Sequence, residues 1–313
     1  MEFNFWTGIT SPYGPLWTTI SAALVAVVGA APLRVSLAFK GIAALSALVF
    51  AAIVYRLAER VRADSGLPAF VLVGWHPLQI IESAGTGHYD AAVMALALLG
   101  LLMLARGRAR PALLLLAASA LLKYTTLPLL VLVALARLRL QGWRRIAGHC
   151  GVDALAITIP VALIVAPYWA GGRMLDAVRA EPARLFSNPA YFRLAYFVAD
   201  HWGSAATATF RDTLRPAAQV AVASTVLASL LWLGHRVWRD RPVGAELLQV
   251  QLRAWAAVTI ALSLLPANAH PWYTIWALGP VAALSGGRGR PLAAYFAFIA
   301  LSFIVYHTAV GRG

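Results

Sequence analysis

Three short polar stretches carry most of the side chains able to do chemistry. The first, Glu82-Ser83-Ala84-Gly85-Thr86-Gly87-His88-Tyr89-Asp90, gathers two carboxylates and an imidazole on one turn between apolar runs. Such a group suits proton transfer, or a hydrogen-bonding clamp for a hydroxylated substrate with His88 as donor or proton carrier. In the second, Leu122-Lys123-Tyr124, a lone cation follows a run of apolar and small residues. That lysine can face a cavity and hold a phosphate, or snorkel to an interface. The third, His270-Pro271-Trp272-Tyr273, offers an imidazole for a phosphate or sugar hydroxyl and rings on which a sugar can stack. Its plainer reading is an aromatic belt at a turn. For Asp90 the plainer reading is the N-cap of the helix that follows it. The spacing of these groups matches no sharp metal-ligand pattern, and neither a metal nor another cofactor is expected.

The elements that position these stretches are hydrophobic. The chain of 313 residues is 61% hydrophobic and 12% charged, with a mean hydropathy of +0.73. A soluble domain carries about 25% charged residues. Apolar runs near the ~20-residue spanning length recur, without the alternating ~10-residue segments of a barrel. The class is all-α: a polytopic integral membrane protein with about 8–10 membrane helices. The net charge of +14 comes mostly from arginines clustered between apolar runs. That is the positive-inside pattern rather than a nucleic-acid surface. The single cysteine, Cys150, excludes an intrachain disulfide.

The arginine clusters set an expected topology. Residues 34–56 cross inward to Arg56, Arg60 and Arg62. Residues 67–83 return outward and deliver the Glu82–Asp90 turn to the outer face. Residues 90–105 go in to Arg106, Arg108 and Arg110. Residues 111–136 must then leave and return before Arg137, Arg139, Arg144 and Arg145. Each limb is ~18 Å long at 1.5 Å per residue, too short to span, so a helical hairpin turns over at Lys123-Tyr124. Residues 146–166 go out, 217–235 in, 246–265 out, 273–285 in and 291–309 out. Residues 1–33 are expected to be an outer-face or re-entrant segment, with an unresolved helix from Pro15 to about Ala30. Residues 167–215 are expected to be an extracytoplasmic loop with helices lying on the interface. Its Arg173, Arg179 and Arg184 suit anionic headgroups or a solvated face. One membrane domain, 1–313, accounts for the whole chain.

No Walker loop, nucleophile elbow, zinc-protease or dinucleotide fingerprint is present. A membrane enzyme without a nucleotide site needs an activated donor that resides in the membrane.

Trp6 with Thr10-Ser11-Pro12-Tyr13-Gly14-Pro15-Leu16-Trp17, then Trp75-His76-Pro77-Leu78, Gly87-His88-Tyr89-Asp90-Ala91, Leu122-Lys123 and His270-Pro271-Trp272-Tyr273 together resemble a known family. It is that of the bacterial polyprenyl-phosphate-mannose-dependent mannosyltransferases of the GT-C fold, the α-(1→6)-mannopyranosyltransferases among them. The resemblance implies a GT-C-like helical bundle in the bacterial inner membrane. It implies transfer of a sugar, mannose above all, from a polyprenyl-phosphate carrier to a hydroxyl of a glycan or glycolipid acceptor on the extracytoplasmic side. A carboxylate would take the acceptor proton, and basic residues would stabilise the departing phosphate. The residues expected in those roles are Asp90, His88 and Glu82 for catalysis, Lys123 and His270 for the donor phosphate, and Tyr13, Trp272 and Tyr273 for the walls. Members of the family carry a first transmembrane helix and a first outer loop with an Asp ahead of the Ser-Pro-Tyr-Gly-Pro element. This chain is expected to lack both, which leaves Asp90 as the best carboxylate. The expected partners are the lipid-linked donor, the acceptor and membrane lipids, with no nucleic acid. A protein partner is left open. Two rivals remain: a transporter or flippase for lipid-linked sugars, which commonly shows repeated halves not found here, and a non-catalytic subunit of another membrane enzyme.

Overall fold

The computed structural model describes residues 11, 13–141, 155–176, 189–266 and 270–285. Arg144, Arg145, Arg179, Arg184, Trp6 and the expected span 291–309 lie outside them. The described regular elements are all helical, as composition requires. Three helices, Pro32–Val61, Asp212–Asp240 and Gly244–Leu264, are long and apolar enough to cross a membrane. A sharply bent pair, Pro77–Gly85 with Asp90–Ala105, passes the same test together.

Helix α1 (Pro15–Val28) starts with proline at its first position, where a missing N–H costs nothing. Gly14 before it donates its N–H to the Leu122 carbonyl at 3.0 Å. A Cβ at Gly14 would overlap the Leu121 carbonyl, so only glycine lets the chain lie this close. The helix ends at Gly29, whose φ of 76° suits glycine. The chain turns there and returns as α2 (Pro32–Val61). Trp17 of α1 and Phe39 of α2 meet with ring centroids 5.7 Å apart, so the two helices form a hairpin whose tip is Gly29–Ala31.

At the far end of α2, Glu59 accepts from the N–H of Gly66 at 2.6 Å, and Ser65 Oγ donates to the carbonyls of Ala58 and Arg62. These bonds fold α3 (Gly66–Gly74) back on α2. The outward span expected over 67–83 is not one helix. Pro77 holds His76 in an extended conformation (φ −63°, ψ 120°), which ends α3 after nine residues. A short helix α4 (Pro77–Ile80) and a wide π-type turn (Ile81–Gly85) follow. The chain then bends by 113° into α5 (Asp90–Ala105). Such irregular backbone at membrane depth is tolerated where it faces protein or water.

Helices α5 and α6 (Ala109–Leu122) pack antiparallel, and Ser119 Oγ donates to the Val93 carbonyl at 2.7 Å. Lys123 and a 3₁₀ turn (Tyr124–Thr126) reverse the chain into α7 (Leu127–Gln141). The expected hairpin is therefore present, with Lys123 at its turn. Helix α8 (residues 155–165) precedes two 3₁₀ turns, Ala166–Tyr168 and Gly171–Leu175. Residues 189–215 of the expected helix-bearing 167–215 loop are helical and form the first part of α9 (Pro189–Asp240), broken at Gly203 (φ 82°). Its alanine-rich sequence favours helix, and its polar side chains such as Asp200 and His201 remain exposed. Helices α10 (Gly244–Leu264) and α11 (Thr274–Ser285) complete the described bundle.

The core lies where α2, α5, α10 and α11 meet, around Phe50, Met94, Leu98, Leu252 and Trp255, all buried. Gly279 admits α11 to it: a Cβ there would sit 2.7 Å from both Leu98 and Phe50. Three arginine clusters lie toward one end. Gln249 Nε2 donates to the Val61 carbonyl, which joins the start of α10 to the end of α2. Arg60 and Arg62, the Arg106–Arg110 turn, and Arg236, Arg239 and Arg241 follow the helix ends there. The polar turns are gathered at the opposite end.

Candidate active site

The first residue of α5 is Asp90; Tyr89 precedes it in the cap position, and no side chain caps the helix. The N-cap alternative is thereby corrected. The Asp90 carboxylate turns inward, with 1% of the residue exposed. Its Oδ1 accepts from Lys123 Nζ at 2.7 Å and from Trp276 Nε1 at 2.6 Å. One oxygen thus binds three elements together: the start of α5, the α6–α7 turn and the start of α11. The Lys123 ammonium also stands 4.8 Å from the Tyr273 ring centroid and 4.9 Å from that of Trp276. A cation in this setting gains from both the carboxylate and the ring faces. Lys123, expected to meet a donor phosphate, has its charge matched within the protein.

A second cluster lies beside the first. Glu82, on the wide turn, reaches His88, with Oε2 3.1 Å from Nδ1. Thr86 Oγ1 lies 2.7 Å from the same nitrogen and 3.1 Å from Glu82 Oε2. The turn that joins them is tied by the His88 N–H to the Glu82 carbonyl at 2.8 Å. Gly87, at φ 88°, supplies the left-handed residue that this requires. His88 stacks on Trp272 at 3.8 Å between centroids, and His270 stacks on Trp272 at 4.4 Å. Tyr273 lies edge-on to His270 and stacks on Trp276 at 4.2 Å. Ser263 Oγ donates to the Tyr273 carbonyl and fixes this turn to α10.

All eight residues singled out from the sequence fall in one connected region. Tyr13 reaches it through Tyr89, edge-to-face at 5.6 Å, and Tyr13 remains 44% exposed. Trp272 and Tyr273 are walls of a different kind from those expected. Imidazoles stack on Trp272, and Tyr273 holds Lys123, so neither offers an entirely free ring to a sugar. Sequence reasoning missed Trp276, one helical turn after Trp272, a spacing that shares a face and was available as a signal. It also missed Tyr89, buried with its hydroxyl donating to the Leu122 carbonyl at 3.2 Å and its ring stacked on Trp17 at 3.8 Å. Thr86 was missed as well.

Lys40 is a further residue that the sequence reading passed over, a lone cation within the apolar part of α2. Its Cγ would lie 3.4 Å from a Cβ placed on Gly87, so it flanks the Glu82–Asp90 turn. It makes no hydrogen bond or ion pair among the described residues. Ionisable groups at such depth mark functional sites by default. No group of three His, Cys, Asp or Glu side chains able to hold a metal occurs among the described residues.

Fold and site define a polytopic helical membrane protein. Arginine clusters at Arg56–Arg62, Arg106–Arg110 and Arg236–Arg241 mark one end, and an acid–histidine cluster with a neutralised carboxylate gathers at the other. Residues 3–139 match the family model described as alpha-(1->6)-mannopyranosyltransferase, N-terminal domain. The matched segment is a little under half of the chain and includes Tyr13, Lys40, Glu82, His88, Asp90 and Lys123. This likeness supports a mannosyltransferase family, and so a glycosyltransferase with a sugar donor and an acceptor. No curated protein matches the chain.

Proposed function

We propose that the chain is an integral membrane glycosyltransferase of the GT-C type. It moves mannose from a polyprenyl-phosphate carrier to an acceptor hydroxyl, at the bundle end remote from the Arg56–Arg62, Arg106–Arg110 and Arg236–Arg241 clusters. By the positive-inside rule that end is extracytoplasmic, in a bacterial inner membrane. The observation that carries the reading is the composition of that end. A histidine held by a carboxylate, a lysine with no partner among the described residues and an exposed tyrosine surround a carboxylate–lysine pair already neutralised within the protein. The likeness over residues 3–139 supports sugar transfer.

The depth of Lys40 agrees with a lipid-borne donor. It precedes Arg56 by sixteen residues on α2, or ~24 Å at 1.5 Å per residue. With Arg56 near one face of a ~30 Å hydrocarbon layer, Lys40 lies near the other, at the level of a lipid phosphate. Lys40 meets the donor phosphate, and Lys123 contributes at longer range. Tyr13 offers a ring to the sugar, and His270 a polar edge to the phosphate or a hydroxyl. Glu82 and His88 line the place where sugar and acceptor meet, with the buried Asp90–Lys123 pair beside them.

The test uses the purified full chain in vesicles, with labelled mannose presented on a polyprenyl phosphate or as a nucleotide sugar, and an oligomannoside acceptor. Transfer from the lipid donor alone is the expected result. Transfer from the nucleotide sugar would overturn the donor assignment. Passage of the labelled lipid across the bilayer with no product would replace the enzyme with a transporter.

A further inference from the structure

We infer that His88, held by Glu82 and Thr86, takes the acceptor proton, and that Asp90 is a positioning residue. This inference rests on the transfer reaction proposed above. It reverses the order of importance that the sequence suggests, in which Asp90 is the first carboxylate.

The argument begins with the protons. A carboxylate can only accept, and Glu82 Oε2 lies 3.1 Å from His88 Nδ1. Thr86 Oγ1 is 2.7 Å from the Glu82 backbone carbonyl, which has no proton to give, so the threonine hydroxyl donates there. Its oxygen is then free to accept at 2.7 Å from His88 Nδ1. Two acceptors converge on Nδ1, and that nitrogen carries the hydrogen. In the neutral ring the lone pair is therefore on Nε2, which has no partner among the described residues. The His88 side chain is 30% exposed and that of Glu82 only 7%, so the carboxylate backs a ring that is open to a substrate.

The backbone is built to hold this arrangement. Glu82 and His88 are six residues apart, too far for one helical turn. The wide π-type turn and Gly87 bring them together, and the Glu82 carbonyl receives both the His88 N–H and the Thr86 hydroxyl. Turns of this type occur disproportionately at functional sites. Asp90 is differently placed. A base must come within hydrogen-bonding reach of the proton it takes. The Asp90 carboxylate is buried, and its Oδ1 serves Lys123 and Trp276.

The charged or titratable groups around His88 are Glu82 on its own turn, Lys40 on α2, the Asp90–Lys123 pair, and His270 beyond Trp272. Within that setting the step balances. The acceptor O–H proton passes to Nε2, and the acceptor oxygen forms a bond to the anomeric carbon. The bond from that carbon to the donor phosphate oxygen breaks, and its electron pair leaves on the phosphate. The resulting imidazolium lies between the Glu82 carboxylate and the Trp272 ring, both of which favour a cation. The proton is released to water after the product departs.

The test combines kinetics with spectroscopy on the full chain in micelles. His88→Ala is expected to lose about 10²- to 10⁴-fold in kcat, and added imidazole to restore part of it in proportion to its unprotonated fraction. His88→Gln keeps a donor toward Glu82 and is expected to stay inactive while folding normally. Glu82→Gln is expected to lose a smaller part of the rate. A folded His88→Gln enzyme with wild-type kcat would overturn the inference. So would an Asp90→Asn enzyme of unchanged stability that loses more activity than His88→Ala. If the wild-type chain transfers no mannose, the function proposed above falls. The ¹⁵N shifts of His88 then decide the pairing: protonated Nδ1 upholds it and protonated Nε2 overturns it.

Discussion

Within the Asp90–Lys123–Trp276 clamp, removing Asp90 and Lys123 together should cost less than the sum of removing each alone, because they form one buried pair. In Asp90→Asn the amide oxygen can still accept from Trp276, but the Lys123 ammonium keeps its charge with its side chain only 12% exposed. In Lys123→Met the stem still covers the rings, but a buried carboxylate is left with the Trp276 N–H as its remaining donor in the clamp. Breaking a buried pair by removing one partner costs about 3–5 kcal/mol, most of it the uncompensated charge. Each single variant should lose roughly that much. The double variant has no stranded charge and should fall short of the sum by about 2–3 kcal/mol, at the upper end for contacting residues. Reversible unfolding in mixed micelles, followed by tryptophan fluorescence, gives the three values. Additive losses, or singles within about 0.5 kcal/mol of wild type, the range of an ordinary surface change, would refute the idea that this ion pair closes the site end of the bundle.

Four further outcomes follow from separate features of the structure. Gly14→Ala should destabilise the protein by about 1–3 kcal/mol, because the new methyl group meets the Leu121 carbonyl. Gly41→Ala, in a helix with open space around it, should be neutral or gain up to about 1 kcal/mol in the same unfolding assay. With Cys150 replaced by serine, cysteines at exposed Ala30 and Arg108 should react with an impermeant maleimide from opposite faces of sealed membranes; labelling from one face would contradict the expected topology. Lys40→Ala should raise KM for the lipid-phosphate donor about tenfold or more, a loss of about 1.4 kcal/mol, whereas Lys40→Arg should retain most of the affinity; an unchanged KM for Lys40→Ala would remove its phosphate role.

The membrane class and the α6–α7 hairpin were legible because they follow from length and apolar content: two limbs of ~18 Å have to turn at Lys123. The three polar stretches were legible because ionisable and turn-forming residues stand out against an apolar chain. Their partners were not. Asp90 meets Lys123 across 33 residues and Trp276 across 186, and no local pattern records such a distance. The break at His76 was signalled by Pro77, but the surrounding hydrophobicity outweighed it in the reading of one outward helix. The widened turn at Ile81–Gly85 leaves no periodic trace. Lys40 was obscured because the run around it is apolar enough to be taken as an uninterrupted span. Its place beside the polar turn shows only in the fold, where it flanks Gly87.

The most direct test of the account is where the donor sits. A polyprenyl-phosphate-mannose bearing a photoactivatable group beside the phosphate would be bound to the wild-type chain, irradiated, and the labelled peptides identified by mass spectrometry. The account predicts label on residues 36–44 or 82–90, or at the His270–Trp276 turn. Label at Arg56–Arg62 or Arg106–Arg110, with none at those positions, would place the donor at the opposite end of the bundle and contradict it.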